Sequence, residues 1–384
     1  MSSGGIGLYL HVPFCAGKCP YCDFYSVRAT EAAMDDYTDC LVRRVREAAE
    51  RTGRRADTLY LGGGTPSLLG AARLCRILGA ARESFSIGES AEVTVEANPG
   101  ELSAGFFREI RAAGANRVSL GVQSTDDGEL RLLGRRHTAR DAARAAEDAR
   151  EAGFANLSLD LMLAVQGQTP QSLARSVEFC ARAGAAHVSA YLLQIEPRTA
   201  YWKNRAQLRL PDEDGAARLY LLACSELEKR GFRQYEISNF ARPGFEGRHN
   251  LNYWRCGEYL GLGPSAHSFL DGKRFHFPRG MAAFLRGDPP EQDGPGGDFE
   301  EYAMLKLRLA EGLSDAGCRA RFGHPIPEPM KRAARRYGPN GWVAPTADGF
   351  RLTPAGFLLS DALTVELLQA EPARTARRSV RSGS

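Results

Sequence analysis

Short runs dense in aliphatic, β-branched and aromatic residues alternate along this chain with longer stretches whose apolar positions recur at helical spacing. Six such short runs predict strands: IGLYLHV from Ile6, TLYLGG from Thr58, AEVTVEAN from Ala91, NRVSLGV from Asn116, NLSLDLM from Asn156 and HVSAYLL from His187. Helical patterns fall between and after them, around residues 31–51, 68–83, 103–113, 126–152, 170–183 and 213–230, and several end in Gly, as helix C-termini do. Repeated β/α units predict a parallel sheet with helical crossovers, most simply a barrel or partial barrel. The domain reading is a barrel over residues 1–235, a connector rich in polar and aromatic residues over 236–290, a C-terminal domain over 291–370 and a disordered basic tail over 371–384. Within it, GDPPEQDGPGGD from Gly287 to Asp298 reads as a linker or mobile loop. Beyond that segment, the order helix, helix, strand pair, helix predicts a small winged-helix-like module without a concentrated basic recognition face.

In a β/α barrel, the loops at the C-terminal ends of the strands carry the chemistry, and the unusual residues fall there. The loop after the first strand holds Cys15, Cys19 and Cys22. With nine cysteines in 384 residues, that spacing arises by chance about 0.5% of the time. Soft thiolates so close together point to zinc or an iron–sulfur cluster. A closed zinc site wants a fourth ligand, and the nearest candidates are His11 and Asp23. A cluster held by three thiolates instead leaves one iron open. The second strand ends in Gly62, Gly63, Gly64, Thr65 and Pro66, where bare backbone suits a small polar ligand or a tight turn. Glu96, Asn98, Gln123 and Asp160 stand at the ends of the next three strands and face the same mouth.

Composition narrows the class. The chain is 43% hydrophobic and 25% charged, with a net charge of only +4, so apart from basic residues between Arg374 and Arg381 nothing demands a nucleic-acid partner. Three clustered and six scattered cysteines do not form a disulfide framework. No stretch approaches the roughly 18 apolar residues of a membrane span, and no signal-peptide pattern is present. The expected location is the cytoplasm.

The segments YLHVPFCAGKCPYCDF, GGGTP, VEANP, SLGVQS with LLGRRH, and LSLDLM resemble, in order and approximate spacing over nearly the whole chain, the radical S-adenosylmethionine (SAM) family. The likeness is to the group that includes oxygen-independent coproporphyrinogen III oxidase and its haem-chaperone relatives. The resemblance implies an α/β fold, a partial (β/α)6 barrel with a small C-terminal winged-helix-like domain. It implies a [4Fe–4S] cluster on Cys15, Cys19 and Cys22, and SAM held by Tyr9, Tyr21, Gly63, Gly64, Thr65, Glu96, Gln123, Arg135 and Asp160. The family usually continues past the Asp-Leu-Met of the fifth strand with a Tyr-Gly-Leu-Pro-like turn, whereas this chain has Leu163, Ala164, Val165 and Gln166.

His249, Asn250, Tyr253 and Trp254 form an HNxxYW pattern that resembles the signature of the haem chaperones, in which the His is implicated in holding haem. Imidazole beside planar aromatics suits an axial ligand, and a core histidine bonded to its neighbours is the competing reading. Cys256 and His267 are rival axial ligands. The oxidases carry a further cysteine two positions after the third, where this chain has Phe24, and a substantial N-terminal extension. The expected function is therefore a haem chaperone with haem, cluster and SAM as cofactors. Its expected partners are haem, acceptor haemoproteins (membrane-associated ones included) and an electron donor, with self-association open. The alternatives are an oxidase that decarboxylates propionates by radical chemistry, another radical SAM enzyme, and a zinc protein.

Overall fold

β1 (Ile6–Val12), β2 (Ala56–Gly63), β3 (Glu92–Ala97), β4 (Arg117–Gln123), β5 (Asn156–Leu163) and β6 (His187–Leu192) lie side by side in chain order. Every neighbouring pair is parallel, with Leu8 opposite Leu59, Leu59 opposite Val93 and Leu120 opposite Leu159. Parallel pairs need a crossover. It is supplied in turn by α1 (Glu31–Thr52), α2 (Ala71–Ser84), α3 (Ala104–Ala112), the pair α4 (Asp127–Leu132) and α5 (Ala139–Glu151), and α6 (Pro170–Arg182). Strands covered on both faces explain the nearly unbroken burial of β4, from Arg117 to Val122. α7 (Glu213–Lys229) follows β6. This computed structural model of the chain describes residues 5–28, 30–100 and 102–370.

The sequence predicts one helix over 126–152, but the structure breaks it at Leu133–Thr138. Gly134 adopts φ +68, and a Cβ there would lie 2.7 Å from Cδ of Pro20 in the cysteine loop. Thr138 then restarts the helix in a capping box with Asp141. The break lets the chain turn toward the barrel mouth with Arg135 on it.

Segment 236–290, expected as a separate connector, instead extends the sheet. Tyr259–Leu262 pairs parallel with β1, and His267–Leu270, Lys273–His276 and Glu291–Pro295 continue outward as antiparallel strands. On the other side, Asn239–Ala241 and Arg233–Gln234 extend it past β6. The sheet has twelve strands among the described residues. The expected linker at 287–298 thus contains an edge strand, where proline is tolerated because its outer side needs no donor. The first compact unit runs to Gly297 and the second starts at Asp298.

α8 (Arg248–Trp254) belongs to the first unit and closes the base of the barrel. The backbone N–H groups of Arg248 and His249 donate to the Glu92 carboxylate at the start of β3, both at 2.9 Å. In the second unit, helices Phe299–Lys306, Asp315–Phe322 and Glu328–Arg336 precede the hairpin Val343–Thr346 and Gly349–Leu352, joined by the short strand Leu313–Ser314. Helix Ser360–Gln369 ends the described chain around a core including Ile326, Met330, Leu352 and Leu367. The expected disordered tail at 371–384 lies outside the described residues.

Candidate cofactor site at the barrel mouth

The cysteine loop is tied at both ends. Phe14–Cys15 pairs with Val27–Arg28, and buried Phe14 packs edge-on against Tyr37 at 5.3 Å between centroids. Inside the loop, the Cys22 N–H donates to the Cys19 carbonyl at 3.1 Å. From the neighbouring strand, the N–H groups of Gly64 and Thr65 donate to the carbonyls of Val12 and Phe14, both at 2.8 Å. The glycines permit this approach. A Cβ on Gly64 would stand 2.5 Å from the Phe14 carbonyl oxygen, and one on Gly63, at φ +111, would stand 2.5 Å from the His11 ring. The sequence presents these glycines as a bare grip for a ligand, and the structure gives them the additional task of seating the cysteine loop.

A polar arc then joins two of the thiols. Cys15 Sγ lies 3.7 Å from Thr65 Oγ1, which accepts from Asn98 Nδ2 at 2.9 Å. Arg135 donates to Asn98 Oδ1 at 2.5 Å and to the Gly121 carbonyl at 2.8 Å, and its other Nη lies 3.7 Å from Cys19 Sγ. Deeper in the barrel, Glu96 accepts from Tyr60 Oη at 2.7 Å and from the Gly63 N–H at 3.1 Å. Burial pushes its carboxyl up to about 7, against the pull of those two donors. Asp160 accepts from Ser119 Oγ at 3.0 and 3.2 Å, and burial raises its pKa as well.

The three thiols, Tyr21, Gly63, Gly64, Thr65, Glu96, Gln123, Arg135 and Asp160 all line one cavity of about 390 Å³. Tyr9 does not. Its hydroxyl meets His11 Nδ1 at 3.0 Å, and its ring lines a second cavity of about 820 Å³ that shares Tyr21, Cys22 and Phe24 with the first. Tyr60 and Ser119 belong to the site and were absent from the sequence reading. The two-residue strand period that carries Ser119, Gly121 and Gln123 onto one face is the signal that would have found Ser119. The departure after Met162 keeps the turn: Ala164 adopts φ +57, where glycine would be unstrained, and Gln168 clamps it by accepting from the Ala164 N–H at 2.7 Å and donating to the Met162 carbonyl at 3.0 Å.

The donor set can be tested against zinc. His11 is used on both ring nitrogens, by Tyr9 Oη and the Tyr25 carbonyl, each at 3.0 Å. Asp23 accepts two bonds from Arg198, at 3.1 and 2.6 Å. Both candidate fourth ligands are therefore committed, and three thiols facing a cavity fit a cluster with one open iron better than a closed tetrahedral site.

His249 is placed differently from expectation. It sits at the base of the barrel, 1% exposed, with Nδ1 2.7 Å from Thr58 Oγ1, Nε2 2.7 Å from Tyr253 Oη and its ring stacked on Tyr60 at 5.2 Å. Burial drives its pKa down to about 3, so the ring is neutral. With neither nitrogen open, an axial-ligand role does not fit this arrangement, and the imidazole serves instead to hold Tyr253, which lines the larger cavity. Cys256 is also buried, whereas His267 lines that cavity and is exposed.

Residues 9–180 match the radical SAM superfamily, and residues 298–359 match the HemN C-terminal domain. Heme chaperone HemW of Mycobacterium tuberculosis is 39% identical over 376 residues, covering 94% of each chain. Heme chaperone HemW of Bacillus subtilis is 37% identical over 366 residues, covering 92% of this chain and 96% of that one, and its Escherichia coli namesake is 34% identical, covering 95% and 98%. Among solved structures, coproporphyrinogen III oxidase (HemN) from Escherichia coli, a radical SAM enzyme, superposes with a TM-score of 0.80 over 95% of this chain and 91% of that one; at 22% identity the likeness is one of fold.

Proposed function

This chain belongs to the heme chaperone HemW family within the radical SAM superfamily, and from that premise we propose that it binds a [4Fe–4S] cluster, SAM and haem and delivers haem to acceptor haemoproteins. The observation that carries the cofactor part is the convergence of three free thiols and a ring of buried polar strand-end groups on one cavity. Cys15, Cys19 and Cys22 hold the cluster, which when bound supplies single electrons and one open iron position. Gly63, Gly64, Thr65, Gln123, Arg135 and Asp160 border the space beside it and orient SAM there. Glu96 acts from behind, fixing the Gly63 N–H and Tyr60. Phe24 lines both cavities beside Cys22.

Nine cysteines without a disulfide support a reducing compartment, which we take to be the cytoplasm. No helix among the described residues is long and apolar enough to cross a membrane. An external electron donor, and acceptors at a membrane surface, complete the proposal.

Anaerobic reconstitution with iron and sulfide, followed by SAM and hemin titration and transfer to an apo-haemoprotein, tests it. The expected result is a brown protein that binds both ligands and passes haem on. A colourless protein with stoichiometric zinc would sink the cluster, and release of carbon dioxide from coproporphyrinogen III would restore the oxidase reading.

A further inference from the structure

Resting on the haem-chaperone reading, we propose that the haem iron is ligated by His267 and that the porphyrin lies in the larger cavity, next to the SAM cavity and separated from it by the cysteine loop. The cavity, about 820 Å³, falls in the range of sites that enclose cofactor-sized ligands. Its walls offer planar aromatic surface from Tyr25, Tyr253 and Tyr259 and the exposed ring of Phe24. Arg279, at its rim with its guanidinium 5.6 Å from the Tyr25 ring, offers a cation for a propionate.

Elimination among imidazoles leads to His267. In the first unit, His11, His187 and His249 have both ring nitrogens engaged. His137 bonds the Val122 carbonyl and lines a different cavity, and His276 is bonded to Asp293 at 2.8 Å. His267 lies in the cavity wall with 64% of its side chain exposed. Its Nδ1 faces Asp293 Oδ2 at 3.8 Å, leaving Nε2 as the open donor, and the ring is braced by His276, directly across the strand pair and stacked at 5.0 Å. At 3.8 Å Asp293, whose hydrogen bond goes to His276, places a negative charge behind the His267 ring, which favours the imidazole as a ligand to a cationic iron. The two antiparallel strands hold this pair rigidly at the cavity's edge. The same His267, His276 and Asp293 atoms lie within 4.8 Å of one another, so a divalent cation is the competitor for the site.

The test is hemin titration of the full chain with its cluster in place, followed by absorption. His267→Ala, an exposed change that leaves the core intact, should lose the wild-type Soret position, and added imidazole should restore it. Asp293→Asn keeps the ligand and removes that charge, and should weaken hemin binding about two- to fivefold. A wild-type protein that binds hemin while His267→Ala gives an unchanged Soret band overturns this inference alone, as does stoichiometric Zn2+ uptake at His267 and His276 with hemin binding indifferent to it. A wild-type protein that binds no hemin overturns the haem-chaperone reading and the inference with it.

Discussion

The two ends of the barrel are both dense in polar and ionisable side chains and do opposite things. At the base, His249, Tyr253, Thr58, Glu92, His187 and Tyr235 are bonded to one another, to Ser158 or to backbone. At the mouth, Cys15, Cys19, Cys22, Arg135, Gln123 and Asp160 converge on a cavity. A motif dense in polar and aromatic residues therefore marks a site only when its polar atoms are left pointing at space. Within HNxxYW the His249 ring is satisfied by Thr58 and Tyr253, and the motif reaches the larger cavity through Tyr253, while the cysteine loop is tied down at its ends and open in its middle.

Cys19→Ser draws the sharpest contrast between the two ends. It should reduce iron and sulfide from about four each per chain to near zero, whereas His249→Ala should leave both unchanged. Iron and sulfide analysis after anaerobic reconstitution reads this directly, and equal losses in the two variants would erase the distinction.

His249→Ala should instead act on stability. It opens a cavity and strips Thr58 and Tyr253 of a partner, at a cost of about 2–4 kcal/mol. Differential scanning of the cofactor-free chain would show this as a lowered Tm, and an unchanged Tm would mean that the base is looser than its hydrogen bonds imply.

Glu96 gives the mouth a pH signature. Its carboxyl, raised from 4.5 to about 7 by burial, keeps in the folded chain a proton that the unfolded chain has already released. Its contribution to stability is fully present below about pH 4.5 and is lost as pH rises through about 7, by roughly 3 kcal/mol at most. Urea denaturation of the cofactor-free chain from pH 5 to 8 should show that decline. Glu96→Gln should flatten it, while lowering stability at pH 5 because an amide NH2 no longer accepts from Gly63. A variant with the wild-type slope would assign the decline to another group.

The smallest effect is expected at Arg135→Met, which removes a charged donor from Asn98 and Gly121. SAM affinity should fall by about 1.5–3 kcal/mol, roughly 10- to 100-fold, measured by calorimetry on the cluster-loaded chain. Unchanged affinity would reduce Arg135 to a support for Asn98 and the Cys19 thiol.

Much of this architecture is written locally. The six parallel strands start within two residues of where their apolar runs begin, and three of the helices between them open on Thr30, Ser103 and Thr169 caps. The three-cysteine spacing points to a metal centre without any fold, because its ligands lie in one short loop. The break at Gly134 is hidden from periodicity, which runs through it, although Gly134 and the Thr138–Asp141 capping box mark it locally and the approach of Pro20 requires it.

What the sequence determined alone is therefore whatever depends on neighbours in the chain: strand and helix periods, the thiol triad, the glycine run and the family it resembles. Tertiary structure decided what depends on partners distant in sequence. It turned the expected connector into sheet strands, sent Tyr9 to the second cavity and committed both nitrogens of His249 to Thr58 and Tyr253. It also set His267 and His276 against Asp293 at the edge of an open space. The physical reason is that a side chain's chemistry is fixed by its type, but its availability is fixed by which polar groups the fold brings within hydrogen-bond reach and which it leaves facing a void.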